Sequence, residues 1–361
     1  MSATTPGRKP PADRAASRFP DSRVDAILVV SFGGPEGMDD VVPFLENVTR
    51  GRGVPPERLA EVARHYEQFG GVSPINAQNR ALIAALEREL AANGIDLPVY
   101  FGNRNWHPLL EEALTEMRDD GVERSLAFFT SAFSSYSGCR QYRENVYAAQ
   151  AAVGPDAPEV AKLRTFFNHP GFIAANADGV RDALARLPAE HRAEARLVFT
   201  AHSIPEAMAK ECAYEAQLAE ASRLVAESVG VSEFGVAYQS RSGPPQVPWL
   251  EPDVCDYLEE FARSGVEAVV VSPIGFVSDH LEVLYDLDVE ARAKAAALGL
   301  AFERASSAGT HPAFVAMIRE LIEERLGIRP PVAAGRLGPG PQTCAPDCCL
   351  PGNGRRSPWD D

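Results

Sequence analysis

Glu282, Asp286 and Glu290 recur every fourth residue in Phe276-Val-Ser-Asp-His-Leu-Glu-Val-Leu-Tyr-Asp-Leu-Asp-Val-Glu290, a spacing that lines three carboxylates along one face of a helix. Like charges in such a row repel unless a cation or a shared proton compensates. The same pattern also describes a solvated acidic face. Position argues for chemistry: the row begins just after Val269-Val-Val-Ser-Pro-Ile-Gly275, where a buried strand ends, and His202 closes another, Leu197-Val-Phe-Thr-Ala-His202. Alone, His202 reads as a structural histidine. Beside a carboxylate row it offers a neutral base, with hard oxygens that hold a divalent cation or carry protons away.

Three of the six cysteines crowd into Thr343-Cys-Ala-Pro-Asp-Cys-Cys-Leu350, and in a long chain read as cytosolic this points to metal rather than to a disulfide framework. Two other patterns are weak. Gly33-Gly34 lacks the G-x-G-x-x-G spacing of a dinucleotide site, and Ala201-His202-Ser203 lacks the G-x-S-x-G turn of a serine hydrolase.

The elements that must position these groups are short β-branched runs alternating with helical periodicity from about residue 24 to 327, the pattern of parallel sheets covered by helices. Eight strands are expected, near Ala26 to Phe32, Pro98 to Phe101, Ser125 to Thr130 and Glu159 to Leu163, then Leu197 to Ala201, Gly235 to Tyr238, Ala268 to Val271 and Leu300 to Glu303. Four plus four gives an α/β fold of two Rossmann-like lobes, residues 23–190 and 191–330, each with a four-stranded parallel sheet. Ligands sit at the carboxyl ends of strands in such sheets, and those ends carry Phe32 in one lobe and His202 in the other. Residues 1–22 read as a disordered tail without the apolar core of a signal peptide. Residues 331–361 turn to Pro, Gly, Ala and Arg, and form a tail that is expected to need its cysteines to become ordered.

Fifty acidic against thirty-five basic residues give a net charge of −15, which repels phosphate backbones and argues against a nucleic-acid partner. The longest apolar runs fall well short of the roughly 20 residues of a membrane helix. A soluble, cytoplasmic monomer without stable membrane insertion is the expectation.

Several motifs in order resemble the ferrochelatase family: Ser31-Phe-Gly-Gly-Pro35, Arg50-Gly-Arg52, Phe69-Gly-Gly-Val-Ser-Pro-Ile75, Tyr100-Phe-Gly-Asn-Arg104, Ala201-His-Ser-Ile-Pro205, Gln246-Val-Pro-Trp-Leu250 and Gly275-Phe-Val-Ser-Asp-His-Leu-Glu282. Arg52-Gly-Val-Pro-Pro56 and the late cysteines are most similar to the actinobacterial branch. The resemblance implies insertion of Fe²⁺, as substrate, into a porphyrin held between the lobes, with coproporphyrin III expected ahead of protoporphyrin IX. A cobalt or nickel chelatase of a sirohydrochlorin-type tetrapyrrole and a non-catalytic haem or porphyrin carrier are the rivals; the first is generally shorter, and the second would need no acidic row.

The same resemblance makes His202 the acceptor of pyrrole protons and a metal contact, Glu282 its partner, and Asp286 and Glu290 a path for protons or hydrated iron. It suggests that Arg50, Arg52 and Arg104 pair with propionates, that Ser73 and Tyr142 hydrogen-bond them, and that Trp249 packs on the ring; each arginine reads equally as ordinary surface charge. Some relatives carry Tyr at the Phe32 position, where a phenolate binds product iron; Phe32 has no donor atom and can only pack. A two-iron, two-sulfur cluster is a further expectation, with Cys344, Cys348 and Cys349 from the tail and Cys139 from the body. Cys212 is the reserve fourth ligand, and Cys255 reads as core.

Overall fold

The computed structural model describes residues 24–51, 53–244 and 246–354. The expectation for residues 1–22, that for Arg52 and the end of the 331–361 tail lie outside the described residues.

Strand β1 (Ala26–Ser31) is buried along its whole length, because both of its faces are covered. Ile27 and Val29 point to one side with Leu82, Leu86 and Leu90, while Ala26, Leu28 and Val30 point to the other with Leu110, Leu114 and Met117. A β-branched run buried on both faces belongs at the centre of a parallel sheet. Strands β2 (Val99–Asn103), β3 (Arg124–Phe129) and β4 (Glu159–Lys162) complete the first sheet in the order β2-β1-β3-β4, all parallel. The second sheet repeats the order with β5 (Arg196–His202), β6 (Phe234–Gln239), β7 (Ala268–Ser272) and β8 (Ala301–Arg304), as β6-β5-β7-β8. Every strand forms where the β-branched runs stand. In both sheets the chain leaves the first strand to one side and then crosses to the other, so β1 and β5 each end at a reversal of strand order, where open α/β sheets form crevices. Phe32 follows β1 and His202 ends β5.

One core runs through both sheets: Ile27, Val29 and Phe128 of the first pack in the same cluster as Leu197, Phe199 and Val270 of the second. Two helices join them. Helix Pro170–Arg186, which a boundary at residue 190 assigns to the first lobe, lies against β7 and β8; helix Pro312–Arg325 returns from the second half to pack on helix Ile75–Ala92. The two helices meet at Gly171, where an added Cβ would fall 2.4 Å from the Ala313 carbonyl oxygen. Phe166, Phe172 and Phe314 are fully buried at this junction, each side chain contributing about 1.5–3 kcal/mol of hydrophobic stabilisation. Among the described residues no helix is long and apolar enough to cross a membrane.

The tail is also docked by hydrogen bonds that the sequence does not announce. Asn168 Nδ2 donates to the carbonyls of Ala334 at 3.2 Å and Gly338 at 2.7 Å, and the Ala334 amide returns a bond to the Asn168 carbonyl at 2.8 Å. Arg164, paired with Glu324 at 2.6 Å with both side chains at most 1% exposed, donates to the Val332 carbonyl; Glu324 accepts from the Val332 amide at 3.0 Å. A chain with few apolar residues is docked by satisfied backbone polar groups instead.

Candidate active site and cysteine pocket

His202 pairs with Gln239 across β5 and β6, and the loop after it is stitched down: Ser203 Oγ donates to the Leu250 carbonyl at 2.8 Å, the Leu250 amide to the Ile204 carbonyl at 3.0 Å, and Pro205 bridges Trp249. Tyr214 donates its hydroxyl to the His202 carbonyl at 2.9 Å. The imidazole Nδ1 meets the Ser203 carbonyl. A carbonyl oxygen only accepts, so Nδ1 is the donor nitrogen, and in the neutral imidazole the lone pair then belongs to Nε2. Nε2 lies 3.8 Å from Glu282 Oε2, with the two side chains 34% and 54% exposed.

Glu282 reaches that point because β7 turns sharply. At Gly275 an added Cβ would stand 2.5 Å from the Ala201 Cα, and the Gly275 amide donates to the Thr200 carbonyl at 2.9 Å. Only glycine brings the exit of β7 against the exit of β5 so closely. The helix that carries the acidic row departs from the expected α geometry: one α turn, Leu281–Val283, passes into a π-helix, Leu284–Ala291. Such wide turns cluster at functional sites, and apolar-face periodicity does not distinguish them from α.

Asp286 on the π-helix accepts from Ser240 Oγ and, at 3.2 Å, from Gln239 Nε2. Ser240 presents its hydroxyl from a left-handed conformation, φ 61°, unusual for a residue with a Cβ. Burial pushes Asp286 up to about 7; the Ser240 bond opposes the shift, and the Glu282 and Glu290 charges add to it. Glu290, at the rim, is raised by burial with His65 opposing. His65 stacks on Tyr285 at 3.9 Å and 8°, joining helix Pro56–Glu67 to the π-helix. The sequence reading does not single out His280, although it sits inside the Gly275 to Glu282 motif. It accepts from the Val283 amide at 3.3 Å as the cap of the acidic helix, and burial lowers its pKa against the pull of Glu282.

On the other wall, half-buried Phe32 meets Phe44 edge to face at 6.3 Å. The cluster of Val41, Phe44, Leu45 and Tyr66 that it joins also takes in Leu281, the neighbour of Glu282, so the two walls share one apolar contact. Arg104 lies over the Tyr142 ring at 4.4 Å and near the Phe32 ring at 5.6 Å. Its guanidinium donates to Asn145 Oδ1 at 2.7 Å and to the Ser137 carbonyl at 3.2 Å, which anchors it behind the aromatic rings. Ser73 and Tyr142 are buried and Arg50 is exposed. Trp249 is half-buried with its indole against Gly243.

A second assembly lies on the first lobe. Cys139 of the short π-helix Tyr136–Arg140 and Cys344, Cys348 and Cys349 of the tail line one pocket with Lys162. The four thiols form a closed ring in which Cys139 and Cys348 each stand between Cys344 and Cys349. Hydrogen bonds from those neighbours hold Cys139 well below the usual thiol value and Cys348 down to about 3, and push Cys344 and Cys349 up. Lys162 Nζ donates to Cys139 Sγ at 3.3 Å, and Arg143 to Cys348 Sγ at 3.4 Å. Among the described residues no group of three or more His, Cys, Asp or Glu has the arrangement of a metal-ion site. Cys212 points elsewhere, donating to the Met208 and Ala209 carbonyls at 3.4 and 3.5 Å. Cys255 packs on the core of the second sheet.

The ferrochelatase family model matches residues 24–326. A coproporphyrin III ferrochelatase of Nocardia farcinica is 57% identical over 345 residues, covering 91% of this chain and 97% of that protein. A ferrochelatase of Rhodopirellula baltica is 58% identical over 328 residues, covering 90% and 93%. Among solved structures, SirB from Bacillus subtilis with Fe³⁺ is similar in fold, with a TM-score of 0.54 at 15% identity over 84% of this chain and 98% of that one.

Proposed function

The chain belongs to the ferrochelatase family, and on that premise we propose that it inserts Fe²⁺ into coproporphyrin III, giving iron-coproporphyrin III. The substrate assignment is supported by the relative from Nocardia farcinica, which carries that name at 57% identity. The observation that carries the mechanism is the placement of His202, whose Nδ1 is tied to the Ser203 carbonyl and whose Nε2 is turned toward Glu282 at 3.8 Å. Metallation requires two pyrrole protons to leave as the dication enters. His202 Nε2 takes the two pyrrole protons in turn and passes each to Glu282, which also meets the incoming Fe²⁺. Asp286, with its carboxyl near neutrality, both receives and releases a proton at cellular pH and passes it toward Glu290 at the rim.

In this reading the macrocycle packs on Phe32 and Trp249, and its propionates are met by Arg50, Arg52, Ser73 and Tyr142. Arg104, held by Asn145 and Ser137 beside the Tyr142 and Phe32 rings, completes the set of propionate partners. The decisive experiment mixes purified protein anaerobically with Fe²⁺ and coproporphyrin III. Metalloporphyrin formed well beyond one equivalent supports the enzyme; stoichiometric porphyrin binding without insertion would replace it with a carrier.

The cysteine pocket supports a two-iron, two-sulfur cluster. Cys139, Cys344, Cys348 and Cys349 would hold it through the four thiolates it needs. Two of the thiols already lie below their usual range with Lys162 and Arg143 beside them, which favours the thiolate form that ligates iron. When bound, the cluster supplies a one-electron redox centre and a covalent tie from body to tail. Anaerobically purified protein is expected to be reddish, with about two irons and two sulfides per chain.

A further inference from the structure

We infer that Lys162 and Arg143 are counter-charges that set the reduction potential of the iron–sulfur cluster, an inference that rests on the cluster reading above. Their placement is specific. Lys162 ends the edge strand β4 and reaches Cys139 Sγ at 3.3 Å, whereas Arg143 comes from helix Gln141–Val153 and reaches Cys348 Sγ at 3.4 Å. Cys139 and Cys348 each bond to Cys344 and Cys349, so the two cations meet different sulfurs of one thiol group.

A third basic residue nearby is engaged differently. Arg140 pairs with Glu144 at 3.0 Å and donates to the Pro346 and Cys348 carbonyls at 2.6 and 3.0 Å, which fixes the tail loop. None of the residues lining the pocket is a carboxylate. Arg143 Nε is buried with no partner, a cost that a nearby anion offsets.

An oxidised centre of two ferric ions, two sulfides and four thiolates carries a net charge of minus two, and one added electron makes it minus three. Positive charge against the thiolates therefore stabilises the reduced form more than the oxidised form, and raises the potential. Removing either cation should make the cluster harder to reduce.

The test is a dithionite redox titration of the full chain, purified anaerobically and followed by the electron paramagnetic resonance signal of the reduced centre. Lys162→Gln and Arg143→Gln should each shift the reduction equilibrium tenfold or more toward the oxidised form, about 59 mV for one electron. Lys162→Arg should stay near the wild-type potential. If one variant fails to assemble the cluster, the other still gives the measurement. A cluster present in all proteins at an unchanged potential would overturn the counter-charge role while leaving the cluster in place. A wild type without iron and labile sulfide would overturn the cluster reading, and this inference with it.

Discussion

His202 Nε2, at the end of β5, and Glu282 Oε2, on the helical turn Leu281–Val283 that follows the exit of β7, face each other at 3.8 Å, with Nδ1 of the imidazole donating to the Ser203 carbonyl. A lone pair opposite a carboxylate is an arrangement completed by a proton or a cation between them. Both enter or leave during metallation.

Glu282→Gln should lower kcat by roughly 10²–10⁴-fold, the usual loss when a direct acid–base group is removed. Glu290→Gln, at the rim of the same row, should cost less than about tenfold. Steady-state kinetics of the two variants side by side makes the comparison. Equal, small losses would return the row to a solvated helix face.

Asp286 should make the fold less stable as pH rises. Its folded pKa of about 7 lies above the ordinary aspartate value of 3.8, so between these values the folded state binds more protons than the unfolded chain. Stability is therefore lost progressively as pH climbs from about 4 to about 7 and stays lower above that. Asp286→Asn, which keeps an acceptor for Ser240, should raise stability at pH 8 by an amount on the order of 1–3 kcal/mol and change it little at pH 4. Chemical denaturation at both pH values measures the difference. A larger gain at the lower pH would contradict the assignment.

Tail docking should survive loss of a thiol and fail without the buried ion pair. Cys139→Ser leaves the bonds of Asn168, Arg164 and Glu324 to the tail intact. Arg164→Met strands a buried carboxylate, at a cost of about 3–5 kcal/mol. Hydrogen exchange at residues 332–338 should rise sharply in Arg164→Met and only slightly in Cys139→Ser. The reverse order would restore the cysteines as the main anchor.

Much of this was legible in the residues. The eight strands were, because runs such as Ile27-Leu-Val-Val30 have to be buried on both faces, and only a parallel sheet between helices does that. Their carboxyl ends then located His202 and the acidic row. Period alone did not reveal that Leu284–Ala291 winds as a π-helix, since a repeat of four suits either winding. The exchange of helices Pro170–Arg186 and Pro312–Arg325 between sheets was hidden because a covering helix has the same apolar stripe whichever sheet it covers. Tail docking through Asn168 and Glu324 was hidden because burial of a polar side chain depends on partners far away in the chain. Arg104 reads from its type as a propionate partner, and the Asn145 and Ser137 bonds that anchor it are visible only in three dimensions.

Phe32→Tyr should place a phenolic oxygen where the first sheet opens at the end of β1. If Phe32 faces the ring, bound iron-coproporphyrin in that variant should show a shifted absorption spectrum and slower release than in the wild type. An unchanged spectrum would mean that the side chain only supports Phe44.

The most direct test of the central claim is single-turnover metallation by His202→Ala, with Fe²⁺ and coproporphyrin III mixed anaerobically and porphyrin binding measured separately by fluorescence quenching. The account predicts that insertion falls by roughly 10³-fold or more while porphyrin affinity changes by less than about tenfold, because the ring is held by contacts other than the imidazole. Insertion at a near wild-type rate with binding intact would contradict it.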